Sequence, residues 1–258
     1  MQLNFSKYQG TGNDFVIADN RDGKISLTNQ QVAFLCDRKF GIGADGLMLL
    51  QTKEGYDFEM IYYNADGNPS TMCGNGGRCL TQFAFDIGIK KDAYLFWAVD
   101  GEHEAFFNNG WIHLKMIDIL GISTHNNNKV LNTGSPHYIV NTNNILNTNV
   151  VEIGKSIRYS ASFEKDGINV NFVEIIGEKA LYVRTYERGV EDETLSCGTG
   201  VTAAAIANAG AEIGEQTIGI TTPGGKLAVN FYKQSDQHFT NVWLCGPATF
   251  VFSGSIQL

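Results

Sequence analysis

Two of the five cysteines, Cys73 and Cys197, stand in matching local patterns. Each opens a Cys-Gly-x-Gly segment (residues 73–76 and 197–200) that follows a predicted strand and turn and precedes a predicted helix. The free N–H groups and the dipole at a helix start stabilise a thiolate. The same N–H groups can bind a carboxylate, and the glycines let a ligand approach the backbone. The pattern therefore predicts two reactive thiols.

The chemistry open to such a pair narrows when each alternative is considered. Two nucleophiles would be redundant, and a disulfide would leave the glycines and the anion-binding N–H groups without a purpose. A redox pair is usually a Cys-x-x-Cys motif, whereas these two cysteines lie 197 − 73 = 124 positions apart. One thiolate and one thiol, however, can remove a proton from one face of a carbon and add one to the other. This stereoinversion needs no cofactor, because the helix termini can stabilise the carbanion.

The other three cysteines, Cys36, Cys79 and Cys245, lack this context, and we interpret them as core residues. An odd number of cysteines, without a secretion signal in residues 1–15, is typical of free thiols in a reducing cytoplasm. We expect no metal site, because Cys73 and Cys79 are six positions apart and no second pair follows.

Composition restricts the partners. The chain has 258 residues, of which 43% are hydrophobic and 18% charged, as in an ordinary globular protein of one large or two small domains. Its net charge of −8 argues against a nucleic-acid partner. No apolar run is long enough to cross a bilayer, so we expect neither nucleic acid nor membrane as a partner.

The pattern along the chain predicts many short strands and four helices. The predicted helices cover 29–38 (with Thr28 as N-cap), 74–87, 150–159 and 198–211, the last so rich in alanine that we expect it to be buried on all sides. Strands are predicted at 2–9, 15–19, 57–63, two or three within 94–116, 167–173, 180–187, 217–221, 227–232, 241–245 and 248–253. The asparagine-rich stretch 120–132 is our candidate for an inter-domain crossing.

The two cysteine segments belong to two matching halves. Strand 58–63 leads through a turn to Cys73 and a helix, and strand 181–186 leads in the same way to Cys197 and a helix. Each half also has an earlier helix, at 29–38 and 150–159. The repeated order predicts two structurally similar halves.

Taken together, these segments resemble the diaminopimelate epimerase family. The matching segments are, in order, 7–15, 37–46, 64–67, 73–79, 187–190, 197–200 and 222–225. The resemblance implies an α/β (α+β) fold of two pseudo-symmetric domains, each a strand-rich sheet or barrel wrapped around a central helix, with the site between them. We expect an N-terminal half at 1–118, to which the C-terminal strand 248–258 returns, and a C-terminal half at 119–247.

The resemblance also implies an activity. Members interconvert LL-diaminopimelate and meso-diaminopimelate in lysine and peptidoglycan-precursor biosynthesis. They are isomerases that need neither pyridoxal phosphate nor another cofactor, and a homodimer is expected. Cys73 matches the proton donor and Cys197 the acceptor, and the roles swap with the direction of reaction.

Site residues carry over one by one. His137 and Glu187 match residues that each support one catalytic cysteine. The positions that match substrate-binding residues are Asn13, Asn64, Gly74, Asn75, Asn169, Glu187, Arg188, Gly198 and Thr199. Among them, Arg188 can hold a carboxylate through two hydrogen bonds.

Two departures concern the end of the substrate away from the reacting carbon. Ser135 stands where many members have an asparagine, and Gly46 where some have a glutamine. They leave open another two-thiol racemase or epimerase of the same fold, of the proline or hydroxyproline type. A non-catalytic or isomerase-like relative is a further alternative, but such relatives lack one or both cysteines.

Overall fold

The computed structural model describes all 258 residues, Met1–Leu258. Its strands are β1 (Gln2–Gly10), β2 (Asn13–Asp19), β3 (Gly46–Gln51), β4 (Phe58–Asn64), β5 (Ala93–Ala98), β6 (Gly101–Asn108), β7 (Trp111–Lys115), β8 (Ile119–Leu120), β9 (Ser123–His125), β10 (Asn128–Asn132), β11 (Pro136–Asn141), β12 (Asn169–Gly177), β13 (Ala180–Glu187), β14 (Asp192–Thr194), β15 (Gly214–Thr222), β16 (Gly225–Lys233), β17 (His238–Gly246) and β18 (Thr249–Gln257). The helices are α1 (Asn29–Cys36), α2 (Gly74–Asp86), α3 (Val150–Arg158) and α4 (Gly198–Ala207), with one 3-10 turn at Ile145–Asn147. None of the helices is long and apolar enough to cross a bilayer.

The chain forms two compact units. Unit 1 comprises Met1–Leu114 and Gly246–Leu258, and unit 2 comprises Lys115–Cys245. These borders lie within four residues of the domain boundaries expected at 118 and 247.

Both units repeat one order of strand pairing. In unit 1 the strands pair in the order β18, β1, β2, β3, β4, β5, β6, β7, and the pairs β2–β3 and β4–β5 are parallel. In unit 2 the order is β9, β10, β11, β12, β13, β15, β16, β17, with β11–β12 and β13–β15 parallel. Each parallel pair is joined through a helix, as parallel strands require. The third and fifth pairs are thus parallel in both units, which confirms the predicted pseudo-symmetric α/β fold.

A buried helix lies at the centre of each unit. Helix α2 packs against β1–β4 and β18, and α4 packs against β10–β13, β15 and β16. Every residue of α4 except Thr199 is buried, which confirms the expectation from its alanine content. The ammonium group of Lys129 binds the carbonyl of Ala207, the last residue of α4, and that of Lys233 binds the carbonyl of Gly210, three residues later. The helix dipole favours positive charge at this end of α4.

The helix starts agree with the sequence predictions. Thr28 caps α1 through a capping box in which its hydroxyl accepts from the N–H of Gln31. Helix α1 ends at Cys36 instead of residue 38, because the carboxylate of Asp37 accepts from the N–H groups of Lys39 and Phe40 in a turn. Helix α4 ends at Ala207 instead of residue 211, where the side chain of Asn208 turns back onto the carbonyl of Ala204.

One prediction about the chain path is wrong, and six strands were not predicted. The stretch 120–132 is no crossing between the units: it lies within unit 2 and contains most of the β8–β10 strands. Its asparagines serve a hairpin turn, in which Asn126 and Asn127 have φ values of 48° and 62°. Besides β8, β9 and β10, the unpredicted strands are β3, β11 and β14.

Candidate active site

In unit 1, Cys73 is the N-cap residue of α2. Its backbone is extended, with φ −112° and ψ 127°, and its carbonyl accepts the first helical hydrogen bond from Gly77. The thiol is partly exposed, and it donates to Oδ1 of Asn13 over 3.6 Å. Cys73 and Asn13, two residues of the predicted site, are therefore in contact.

The direction of this hydrogen bond is determined by the other neighbours of Asn13. The amide nitrogen of Asn13 donates to Oδ2 of Asp45 over 2.7 Å. Its oxygen also accepts from Nδ2 of Asn75 over 3.3 Å, and the oxygen of Asn75 in turn accepts from the buried guanidinium of Arg78. Asn13 therefore offers Cys73 an acceptor, and this hydrogen bond exists only while the thiol carries its proton.

A charged cluster lies behind Asn13. Lys7, only 5% exposed, pairs with Asp14 over 2.8 Å and also binds the carbonyl of Gly43. Arg38 pairs with both Asp14 and Asp45 over 2.7 Å. Burial alone would raise the pKa of Asp14, but hydrogen bonds and charge from Arg38 and Lys7 outweigh it and lower the pKa to about 2. The cluster fixes the carboxylate that orients the amide of Asn13.

Asn64, the other asparagine predicted in unit 1, is exposed at the end of β4. Its backbone closes the turn before Cys73: Asn64 N–H donates to the carbonyl of Asn68, and its carbonyl accepts from Gly67. Gly46, in the paired position of β3, has no room for a side chain. A Cβ there would lie 2.5 Å from the ring of Tyr62 and 2.6 Å from the carbonyl of Tyr63. This close approach explains why a glycine, and not the glutamine of some family members, stands at position 46.

In unit 2, Cys197 is the N-cap residue of α4, with φ −112° and ψ 114°. The two cysteines thus have nearly the same backbone conformation, as the repeated motif predicted. Cys197 is 7% exposed, and its sulfur lies 3.5 Å from Oγ1 of Thr199.

The second glycine of each motif lies close to the side chain of another residue. A Cβ on Gly76 would collide with the methyl group of Met48, and one on Gly200 would collide with Oδ1 of Asn171. These two glycines therefore face protein atoms, whereas the sequence suggested close approach by a ligand.

His137 lies in β11 and is completely buried. Parallel pairing places it beside Asn169 of β12, with Asn171 two residues further along on the same face. Its Nδ1 lies 3.0 Å from Nδ2 of Asn171, and its Nε2 lies 2.9 Å from Oγ of Ser135. Burial, together with the positive charge of Arg188, lowers the pKa of His137 to about 3, so the ring is neutral at physiological pH.

Ser135 joins His137 to the cysteine motif. Its hydroxyl lies 3.0 Å from Oγ1 of Thr199 and 3.2 Å from Nδ2 of Asn169. The sequence marked Ser135 only as a departure from the family pattern. The structure shows that it contacts three residues of unit 2 that the sequence did predict.

Three predicted residues lie near the end of β13. They are Glu187, its last residue, Arg188, which follows, and Asn169, at the start of the neighbouring strand β12. Asn169 accepts a hydrogen bond from the backbone N–H of Arg188 over 2.9 Å. The exposed side chain of Arg188 donates to the carbonyl of Asp166. Glu187, half-buried, accepts from the hydroxyl of Thr194 over 2.8 Å. Asn169 and Arg188 thus belong to the network around His137, whereas the one bond described for Glu187 leads to β14.

The other cysteines are core residues, as predicted. Cys36, Cys79 and Cys245 are at most 3% exposed. Burial raises the pKa of Cys36 to about 11 and that of Cys79 to about 12, which makes both thiols unreactive. All five cysteines are free, and no group of three His, Cys, Asp or Glu side chains could hold a metal ion.

Several residues of these networks were not predicted. Asp14, Arg38 and Asp45 lie in the segments that carry the family resemblance, but their ion pairs bring together residues far apart in sequence. Asn171 was missed as a site residue, and so was Thr185 of β13, whose hydroxyl donates to Oδ1 of Asn171. The signal for Asn171 was a second asparagine on the buried face of a strand, where an amide needs hydrogen-bond partners.

Comparison with known proteins identifies the family of the chain. The sequence model of the diaminopimelate epimerase family matches residues 5–105 and 129–251. The chain belongs to the diaminopimelate epimerase family. The diaminopimelate epimerase of Flavobacterium psychrophilum is 50% identical over 97% of this chain and 98% of its own. That of Chlorobaculum tepidum is 44% identical over 96% and 99%.

Solved structures share the fold at low identity. A phenazine biosynthesis protein of the PhzF family from Bacillus anthracis superimposes with a TM-score of 0.75 at 16% identity, over 100% of both chains. A hydroxyproline epimerase from Agrobacterium vitis, solved with trans-4-hydroxy-L-proline, gives 0.69 at 14% identity, over 99% of this chain and 91% of its own. At these identities the likeness concerns the fold alone.

Proposed function

We propose that this protein is an isomerase that interconverts LL-diaminopimelate and meso-diaminopimelate, with Cys73 and Cys197 as its two acid/base groups and no cofactor. The observation that carries the proposal is the similarity, at 50% and 44% identity, to diaminopimelate epimerases along nearly the whole chain. The presence of both cysteines, each at the start of a buried helix, supports it.

The proposed reaction needs only a proton transfer at each face of one carbon. One cysteine, as thiolate, takes the α-proton, and the electron pair left on carbon is delocalised into the α-carboxylate. The other cysteine, as thiol, gives its proton to the opposite face. The centre is inverted, and the first cysteine is now a thiol and the second a thiolate. The reverse reaction starts from that state.

The helix starts supply the groups that would bind the reacting end. The first N–H groups of an α-helix have no acceptor within the helix. We assign those of Gly74 and Asn75, and those of Gly198 and Thr199, to the α-carboxylate, where they would also stabilise the charge of the carbanion.

The distal end requires a second set of residues. We assign it to Asn64, Asn169, Glu187 and Arg188. The guanidinium of Arg188 is exposed and uses Nη1 for the carbonyl of Asp166, so further donors of the fork are available for a carboxylate. These assignments favour diaminopimelate over proline, because only a substrate with a second amino-acid end would use them.

Three wider expectations follow from the same proposal: a place in lysine and peptidoglycan-precursor biosynthesis, a cytoplasmic location and a homodimer. The five free thiols support a reducing compartment. Strand β18 exposes Phe250, Val251 and Phe252, and such an apolar surface favours self-association.

The test is a stereochemical assay in deuterium oxide, with protein prepared without pyridoxal phosphate. LL-diaminopimelate, L-proline, trans-4-hydroxy-L-proline and L-glutamate are compared as substrates. We expect conversion of LL-diaminopimelate to the meso form, with one deuterium at the inverted carbon. If L-proline or trans-4-hydroxy-L-proline is converted and LL-diaminopimelate is not, the proposed substrate is wrong. In product formed before the reverse reaction regenerates LL-diaminopimelate, label at both stereocentres, or inversion without label, would contradict the two-thiol chemistry.

A further inference from the structure

The polar groups beside Cys197 form a single chain of hydrogen bonds. From the sulfur, the distances are 3.5 Å to Oγ1 of Thr199, 3.0 Å from there to Oγ of Ser135, and 2.9 Å on to Nε2 of His137. A hydroxyl can donate or accept, so the two hydroxyls do not reveal the direction of the chain by themselves. The direction has to come from neighbours whose donors and acceptors are fixed.

Asn171 fixes the His137 end. Its Nδ2 lies 3.5 Å from the carbonyl of Tyr138, and its Oδ1 accepts from the hydroxyl of Thr185 over 3.0 Å. The amide nitrogen therefore faces Nδ1 of His137, which must accept. Because burial and the charge of Arg188 keep the ring neutral, its single proton is on Nε2 and points to Ser135.

Asn169 fixes the orientation of Ser135. Its Oδ1 accepts from the backbone N–H of Arg188, and its Nδ2 donates to the carbonyl of Pro136 over 3.1 Å. The same Nδ2 donates to Oγ of Ser135. The oxygen of Ser135 thus accepts from both Asn169 and His137, which occupies both lone pairs. The only hydrogen of Ser135 is left for Thr199.

We propose that Ser135 is a positioning residue that turns the hydroxyl of Thr199 towards the sulfur of Cys197, so that the chain ends in a donor to the thiolate. Thr199 accepts from Ser135 and donates its own hydrogen to Cys197. A hydrogen bond to the charged form of a group favours that form. The role rests on the proposed acid/base function of Cys197. It assigns a function to the serine that stands at position 135, where many family members have an asparagine.

The test measures the fraction of Cys197 present as thiolate from its ultraviolet absorbance, at a pH where the wild-type thiol is partly ionised. For each variant, the same protein with Cys197→Ser serves as the blank, which removes the signal of the other four cysteines. Ser135→Ala should lower the thiolate fraction roughly three- to tenfold, as expected for weakening one hydrogen bond to a charged group. Ser135→Thr keeps the hydroxyl and should restore the wild-type fraction.

Thr133→Val is the matched control. The buried hydroxyl of Thr133 also bonds to residue 199, but to its backbone carbonyl over 2.8 Å. Its loss should leave the thiolate fraction unchanged. Circular dichroism and Tm establish that each variant is folded. If Ser135→Ala does not fold, the comparison of Thr199→Val with Thr199→Ser takes its place, and only the valine should lower the thiolate fraction.

Epimerisation kinetics are measured on the same variants. Ser135→Ala should reduce kcat more than it raises KM. A wild-type thiolate fraction in folded Ser135→Ala, or an equal loss in Thr133→Val, would overturn the positioning role. A lowered fraction in Ser135→Ala, combined with no epimerisation by the wild-type protein, would reject the proposed function and keep the hydrogen-bond chain.

Discussion

The sulfur of Cys73 donates a hydrogen bond to Oδ1 of Asn13, with 3.6 Å between the two atoms. Asp45 holds the nitrogen of the same amide, so Asn13 cannot turn a donor towards the thiol. Thr199, beside Cys197, is the opposite case, since we propose that its hydroxyl donates to sulfur. The two cysteines share a backbone conformation and a helix position, but their polar neighbours differ.

The first prediction concerns Asn13. Asn13→Ala removes the acceptor for Cys73 and a proposed substrate contact, and we expect kcat/KM to fall roughly ten- to a hundredfold, the cost of one hydrogen bond to a charged or reacting group. Steady-state kinetics measure it. Asn20→Ala is the control, because the buried amide of Asn20 binds only the backbone of Ile25 in the described contacts. It should lower Tm and leave kcat/KM of the folded protein unchanged. An equal loss of kcat/KM in both variants would contradict a specific role for Asn13.

The second prediction separates the two reactive cysteines from the buried ones. Cys73→Ala and Cys197→Ala should each lower kcat by at least about a thousandfold, since each removes one acid/base group. Cys36→Ala, in the core of unit 1, should cost about 1 kcal/mol of stability and leave kcat close to wild type. Turnover by either of the first two variants at the rate of Cys36→Ala would reject the two-thiol reaction.

The third prediction is a pH dependence of stability from His137. Its pKa of about 3 in the folded protein lies below the ordinary value of 6.5, so the unfolded chain binds the extra proton first. Above pH 6.5 the ring is neutral in both states, and the free energy of unfolding is not lowered by His137. As the pH falls from 6.5 towards 3, proton binding to the unfolded chain lowers the free energy of unfolding by about 1.4 kcal/mol per pH unit. Urea unfolding of wild type and His137→Gln between these pH values measures the difference.

We expect a shallower pH slope for His137→Gln than for wild type. His113, whose pKa burial also lowers, leaves a residual slope in both proteins. Parallel pH curves for wild type and His137→Gln would mean that the ring is not held neutral.

The fourth prediction tests the charged cluster behind Asn13. Asp14→Asn leaves the ammonium of Lys7 buried without its carboxylate, and we expect a loss of about 3 to 5 kcal/mol in the free energy of unfolding. Asp22→Asn breaks an exposed ion pair with Lys24 and should have no measurable effect. Denaturant unfolding at neutral pH compares the two variants, and equal losses in the free energy of unfolding would contradict the role assigned to burial.

The same cluster predicts a pH dependence. Because the pKa of Asp14 is lowered to about 2, its contribution to the free energy of unfolding is present above pH 3.8 and is lost as the pH falls through 2.

Local features of the sequence were enough to predict the helix starts. The N-cap at Thr28 and the cysteine motifs ahead of α2 and α4 depend on neighbouring residues only. Strands β3 and β11 escaped prediction for a different reason. The apolar run of β3 does not alternate, and β11 begins with a proline; both are completed by parallel pairing with strands distant in sequence.

The sequence by itself determined which residues could do chemistry, that two cysteines occupy equivalent helix starts, and to which family the chain belongs. Only the tertiary structure decided the polarity of the groups around each sulfur. The pairing of β11 with β12 brings His137 beside Asn169 and Asn171, and the ion pairs of Asp14 and Asp45 orient Asn13. The physical reason is that amides and hydroxyls can both donate and accept. Their direction is set by backbone and charged groups that only folding brings into contact.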